Sequence, residues 1–156
     1  MNRFFYTLAL QWRLDLRNKD VLLLYYLVPF LFFALMGGVY LALDPGAKET
    51  ILPSLTLFGC AMGAYLGGPV PICSLFGGPV KKAYRVGGVP LGAVTLIHCL
   101  SAFLHLLTLC ILFLITGPIF FGAARPAHLG QYLLSLIFFL AVMVAIAAAL
   151  GLWVKG

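Results

Sequence analysis

Pro79-Val80-Lys81-Lys82-Ala83-Tyr84-Arg85-Val86-Gly87-Gly88-Val89-Pro90 divides this chain. Three basic residues crowd together there without an acid, and the sequence on either side is apolar for long distances. Residues 21–78 precede the island and residues 91–154 follow it, and each stretch is long enough to cross a bilayer twice. The reading of this one polar segment therefore sets the fold: two pairs of membrane spans joined by a basic loop.

Composition excludes a soluble domain. The chain has 156 residues, 63% hydrophobic and 9% charged, with a mean hydropathy of +1.11, which is more apolar surface than a domain of this size can bury. The net charge of +6 does not point to nucleic acid, because the charges sit at the ends of apolar runs and not on a basic face. Cys60, Cys73, Cys99 and Cys110 all fall inside apolar runs without a Cys-x-x-Cys pair, so they read as small hydrophobes and leave the redox compartment open.

Working outward from the island toward the N-terminus, the second span begins near Ile51 and carries Gly59, Gly63 and Gly67 at four-residue spacing. Small residues so placed form a groove for a neighbouring helix. Gly68-Pro69-Val70-Pro71 and Gly77-Gly78-Pro79 then predict a bent second half, since proline interrupts the helical ladder; a re-entrant segment is the alternative. Before it lie the polar turn from Asp44 to Thr50 and the uncharged run Val21 to Leu43, the first span, with Pro29 inside it and Tyr25, Tyr26 and Tyr40 toward its ends. Residues 1–20 place Phe4, Phe5, Leu8, Ala9, Trp12 and Leu16 on one side of a helix and Arg3, Arg13 and Arg17 on the other. This is an amphipathic helix; charges up to Asp20 exclude a secretory signal. It reads either as an anchor in the headgroups or, because Leu10 and Leu14 interrupt its polar side, as a protein contact.

Toward the C-terminus, the third span runs from about Leu91 to Phe121 and the fourth from Leu129 to Val154, with Gly117-Pro118 marking the end of the third and a turn over residues 122–130 between them. Thr95, His98, Ser101, His105 and Thr108 recur at steps of three and four, a polar stripe on an otherwise apolar helix. His98, Ser101 and His105 are candidate pathway residues. For the two histidines the choices are a proton relay or metal site, and interhelical hydrogen bonding. They stand roughly 10 Å apart along the axis and no span carries a carboxylate to partner them, which argues against a metal.

The fold expected is all-α and integral to the membrane: an N-terminal amphipathic helix (1–20) followed by a transmembrane domain (21–156) of four transmembrane helices, about 21–43, 51–78, 91–121 and 129–154, with the loop at 79–90. Arg3, Arg13, Arg17, Lys19, Lys81, Lys82, Arg85 and Lys155 then share one side, against Lys48 and Arg125 on the other. By the positive-inside rule the first side is cytoplasmic, and both termini lie there.

The basic start from Asn2 to Asp20, the Tyr25-Tyr26-Leu27-Val28-Pro29-Phe30 segment and the loop from Lys81 to Pro90 together resemble the membrane subunits of ATP-binding cassette exporters, the type-two permease family, over nearly the whole chain. The resemblance implies a bacterial cell-membrane permease that pairs with a second membrane half, identical or different, and with cytosolic ATPase subunits that bind ATP and magnesium. It makes the amphipathic start, with Arg3, Trp12, Arg13 and Arg17, a connecting helix. It makes the loop a coupling helix, in which Lys81, Lys82, Tyr84 and Arg85 dock on the ATPase while Gly87, Gly88 and Pro90 turn the chain. Two departures stand out: the family loop often has an acid before its glycine, and the family usually has six spans where this chain has four, which reads as the first two-thirds of a permease. The chain has no Gly-x-x-x-x-Gly-Lys phosphate loop and no carboxylate pair for magnesium. No catalytic residue, cofactor or metal is expected in it, and it is not an enzyme alone. The alternatives are a small oligomeric ion-coupled carrier or channel, in which His98 or His105 would do the work because Asp15, Asp20, Asp44 and Glu49 lie outside the apolar runs, and a scaffold that only recruits a partner.

Overall fold

The computed structural model describes residues 2–76 and 78–154. Among them the order is α1 (Asn2–Arg17), α2 (Lys19–Leu43), a 3-10 turn (Pro45–Glu49), α3 (Ile51–Gly67), α4 (Pro69–Phe76), α5 (Gly78–Val86), α6 (Leu91–Phe121) and α7 (Leu129–Trp153). Four stretches are long and apolar enough to cross a membrane: α2, Ile51–Phe76, α6 and α7. The protein is an all-helical, multi-pass membrane protein.

Small residues set the register of the bundle. A Cβ at Gly59 would meet Phe113 at 2.7 Å, and one at Gly63 would meet Leu106 at 3.1 Å and Pro29 at 3.6 Å. Gly67 seats the ring of Tyr25. The groove expected on the second span is filled by side chains of α2 and α6, and the α2 backbone comes close there as well, the Tyr25 carbonyl oxygen lying 3.8 Å from a Cβ placed at Gly63. Read along the chain, Tyr25 meets Gly67, Pro29 meets Gly63 and Phe32 stacks on Phe58, so later residues of α2 pair with progressively earlier residues of α3 and the two helices are antiparallel. Leu106, Phe113 and Gly117 do the same from α6. Phe33 and Phe113 stack at 4.2 Å and 8° between the parallel α2 and α6, a ring pair of the kind that adds to area burial. At the α2–α3 turn the Ala124 N–H donates to the Lys48 carbonyl at 2.8 Å, tying the two connections at that end together.

Proline and glycine shape three departures from regular helix. Pro29 has no N–H for the Tyr25 carbonyl and its ring crowds that group; the turn before it, Leu23–Leu27, widens to π-helix, with the Val28 N–H reaching the Leu23 carbonyl. The second span breaks at Gly68, whose N–H still bonds the Ala64 carbonyl, and α4 leans onto α7, where Gly151 leaves room for Ile72 and the Pro69 carbonyl. Gly117-Pro118 does not end α6: the helix runs one turn further, to a left-handed cap at Gly122 (φ 59°) whose N–H bonds the Pro118 carbonyl.

The segment read as a loop at 79–90 is helical over Gly78–Val86. The chain then turns at Gly87 and Gly88, with Gly88 at φ 66°, and the Val89 N–H closes back on the Tyr84 carbonyl at 3.0 Å.

Candidate functional site

The inward face of α1 is Leu8, Gln11, Trp12, Asp15 and Leu16, which are half-buried, whereas Phe4, Phe5 and Ala9 are exposed. The first four recur at i, i+3, i+4 and i+7, the spacing of one helix face. A carboxylate therefore sits in the packing face of α1. Leu10 and Leu14, at 44% and 52% exposed, contact no partner in this chain that buries them.

Asp15 meets α6 at the polar stripe. The Ser101 hydroxyl donates to Asp15 Oδ2 at 2.6 Å, and the Gln11 amide donates to Oδ1 at 2.8 Å. His105 Nε2 stands 3.7 Å from Oδ2, an ion-pair distance too long for a hydrogen bond. On the other side of the ring, Nδ1 lies 2.7 Å from the Tyr26 hydroxyl. Tyr25 and Tyr26 flank the imidazole at centroid distances of 5.6 Å each, and Trp12 approaches at 6.0 Å. Successive residues of an α-helix point about 100° apart; the wider turn at Leu23–Leu27 lets adjacent tyrosines serve one ring.

The expectation that no carboxylate could partner the histidines is corrected here. The apolar runs of the spans carry no acid, Asp20 lying at the polar start of α2, yet α1 brings Asp15 to His105 across 90 residues of sequence. Burial pushes the Asp15 carboxyl up, but His105 beside it and the bonds from Ser101 and Gln11 outweigh that and hold it below its ordinary value of 3.8.

A cleft of about 280 Å³ opens beside the pair, between α1, the start of α2 and α4, with Gln11, Asp15, Asp20, Tyr25, Ser74 and His98 in its lining. Behind it a chamber of about 20 Å³ is lined by Asp15, Tyr25, His98, Cys99 and His105, room for about one water molecule. Asp15, Tyr25 and His98 border both spaces, so the two adjoin.

Among the other residues singled out from sequence, Thr95 and Thr108 bond the carbonyls of Leu91 and Leu104 one turn back on α6, a local use of the hydroxyl. Ser101 and His105 are buried and reach Asp15, and His98 lines the cleft. Arg13 and Arg17 are exposed on α1. On α5, Lys82 and Arg85 are exposed and Lys81 and Tyr84 partly so; Gly87, Gly88 and Pro90 are exposed in the turn that follows. Lys155 and the side chain of Arg3 lie outside the described residues. Among the described residues no three His, Cys, Asp or Glu side chains come close enough to hold a metal ion.

Sequence reasoning missed Gln11, Asp15, Tyr25 and Tyr26 as parts of one site. The signal for Asp15 was present: it falls one turn beyond Gln11 and Trp12 and seven residues beyond Leu8, about 20° from Leu8 around the helix. No family model, curated protein or solved structure matches the chain.

Proposed function

We propose that the chain is a permease subunit of an ATP-binding cassette exporter in the cell membrane. A separate cytosolic ATPase binds ATP and magnesium, and a second membrane half, identical or different, completes the pathway. The observation that carries this reading is α5. It is a short helix between the second and third spans, it exposes Lys82 and Arg85, and it leaves Val86 91% exposed at its end. The positive-inside rule accounts for the cations, but an anchor needs neither a projecting valine nor a turn fixed by a left-handed glycine.

In this mechanism the ATPase closes around ATP and pushes on α5 and α1. Movement of α1 reaches α6 through Asp15, Ser101 and His105, and α5 leads directly into α6, so both levers act on the third span. The paired halves tilt and substrate moves outward. The free energy is the partner's. Replacing Lys81, Lys82 and Arg85 together by Ala is expected to abolish co-purification of the ATPase and uncouple hydrolysis from transport while insertion and orientation stay intact. Retained partner and transport in that variant would overturn the docking role; orientation is measured alongside because the same residues bias topology.

The Asp15–His105 pair favours a second reading, an oligomeric ion-coupled carrier, because intramembrane ionisable groups mark ion pathways. Stoichiometric co-purification of an ATPase discriminates the two.

A further inference from the structure

We propose that Asp15 and His105 form a proton-binding site, filled from the cleft between α1, α2 and α4, whose occupancy sets how firmly α1 is held on α6. This goes beyond the permease reading and does not depend on an ATPase.

Three observations carry it. First, His105 is 1% exposed and its Nε2 has no hydrogen-bond partner; the closest charged group it faces is Asp15 Oδ2 at 3.7 Å. A buried polar nitrogen without a partner is costly, and a positive charge on the ring, gained by protonation at Nδ1, makes the Nε2 contact with Asp15 a charge-assisted pair. Second, the ring can hold its proton without stranding Nδ1. In the neutral ring the Tyr26 hydroxyl donates to Nδ1, and in the charged ring Nδ1–H donates to the same oxygen, since a phenol serves in both roles. Third, the chamber that His105 lines adjoins the outer cleft, with Asp15 and His98 bordering both.

The groups facing the ring are Asp15 from α1, Tyr25 and Tyr26 from α2, and His98 and Cys99 from α6. Asp20 stands in the outer cleft. The residues that α3, α4 and α7 bring to the chamber are not titratable. Asp15 is thus the one acid at the ring, and it belongs to the helix that is held. When the proton leaves, Asp15 keeps Ser101 and Gln11 but loses the cation, and α1 is held less firmly. By linkage, anything that pulls α1 away releases the proton.

Trp12 reports on the site. Its ring lies 6.0 Å from that of His105, and the chain's other tryptophan, Trp153, is 81% exposed at the end of α7. The test uses the full chain carrying Trp153→Phe in phosphatidylcholine nanodiscs, titrated across the interval in which imidazoles change charge, roughly pH 5 to 8. Charged imidazole quenches a neighbouring indole, so Trp12 emission is expected to fall reversibly as pH is lowered. Hydrogen exchange of α1 amides, corrected for intrinsic rates, is expected to slow over the same interval. Asp15→Asn should move the midpoint of the Trp12 transition and remove the exchange change; His105→Gln should abolish both, and His128→Gln, exposed at the start of α7, should leave both. A flat Trp12 signal, or a transition that survives His105→Gln, overturns the proposal. If His105→Gln does not fold, Asp15→Asn decides, and an unmoved midpoint overturns it.

Discussion

Asp15 places a charge in the packing face of a helix, where its neighbours Leu8 and Trp12 are apolar. What makes this tolerable is full use of the carboxylate: Ser101 and Gln11 donate to it and His105 stands beside it. Because its folded value is held below 3.8, the stability that Asp15 contributes is complete above that ordinary value and is lost as pH falls through the lowered folded one. Acid titration followed by hydrogen exchange should therefore show α1 loosening at low pH. Absence of the acid limb in wild type would contradict the ion pair. At Gly59, where Phe113 is seated, Gly59→Leu is expected to lower stability by about 1–3 kcal/mol. Gly38→Ala, inside α2 where an added Cβ meets nothing within 4 Å, should unfold at or above the wild-type midpoint because alanine favours the helix; thermal unfolding in detergent measures both.

At the scale of the element, α2 and α5 carry the devices that matter. Pro29 imposes the wide turn that brings both tyrosines to His105, so Pro29→Ala should restore a regular helix and separate Tyr26 from the imidazole. Nitrogen-15 spectra of His105 read that loss, and an unchanged Nδ1 resonance would argue against it. Gly88 holds φ 66°, a conformation that costs an L-residue about 1–2 kcal/mol. Gly88→Val is expected to unseat the turn after α5 and weaken partner docking without disturbing the spans, as measured by co-purification. The spans were legible because their cause is local: long uncharged runs, bounded by charges, have one way to bury their backbone polar groups in lipid. The kink at Gly68 was legible for the same reason, from Pro69 and Pro71. The site was not, because its pairing joins residues 15 and 105, and no periodicity on either helix specifies the partner. The π turn was half visible, since Pro29 announces a disturbed ladder but not which residues it will re-aim.

On the scale of the whole molecule, the bundle has two unlike ends. At one, Lys48 and Ala124 tie the short connections together by a backbone bond. At the other, α1 and α5 project their charges, and the cleft opens between α1 and α4. That asymmetry is what the permease reading interprets: a closed outer end and an inner end built to be pushed. The sequence pattern indicated the division through its basic residues, whereas the mechanical link from α1 into α6 is visible only in the packing of Asp15. The most direct test places a photo-crosslinking amino acid at position 86, the exposed end of α5, in the native host, with the same group at exposed Val142 of α7 as a control. The account predicts a position-86 adduct with an ATPase bearing a phosphate loop, lost when Lys81, Lys82 and Arg85 are all Ala; illumination that yields no ATPase adduct at position 86, or the same products at 86 and 142, would contradict it.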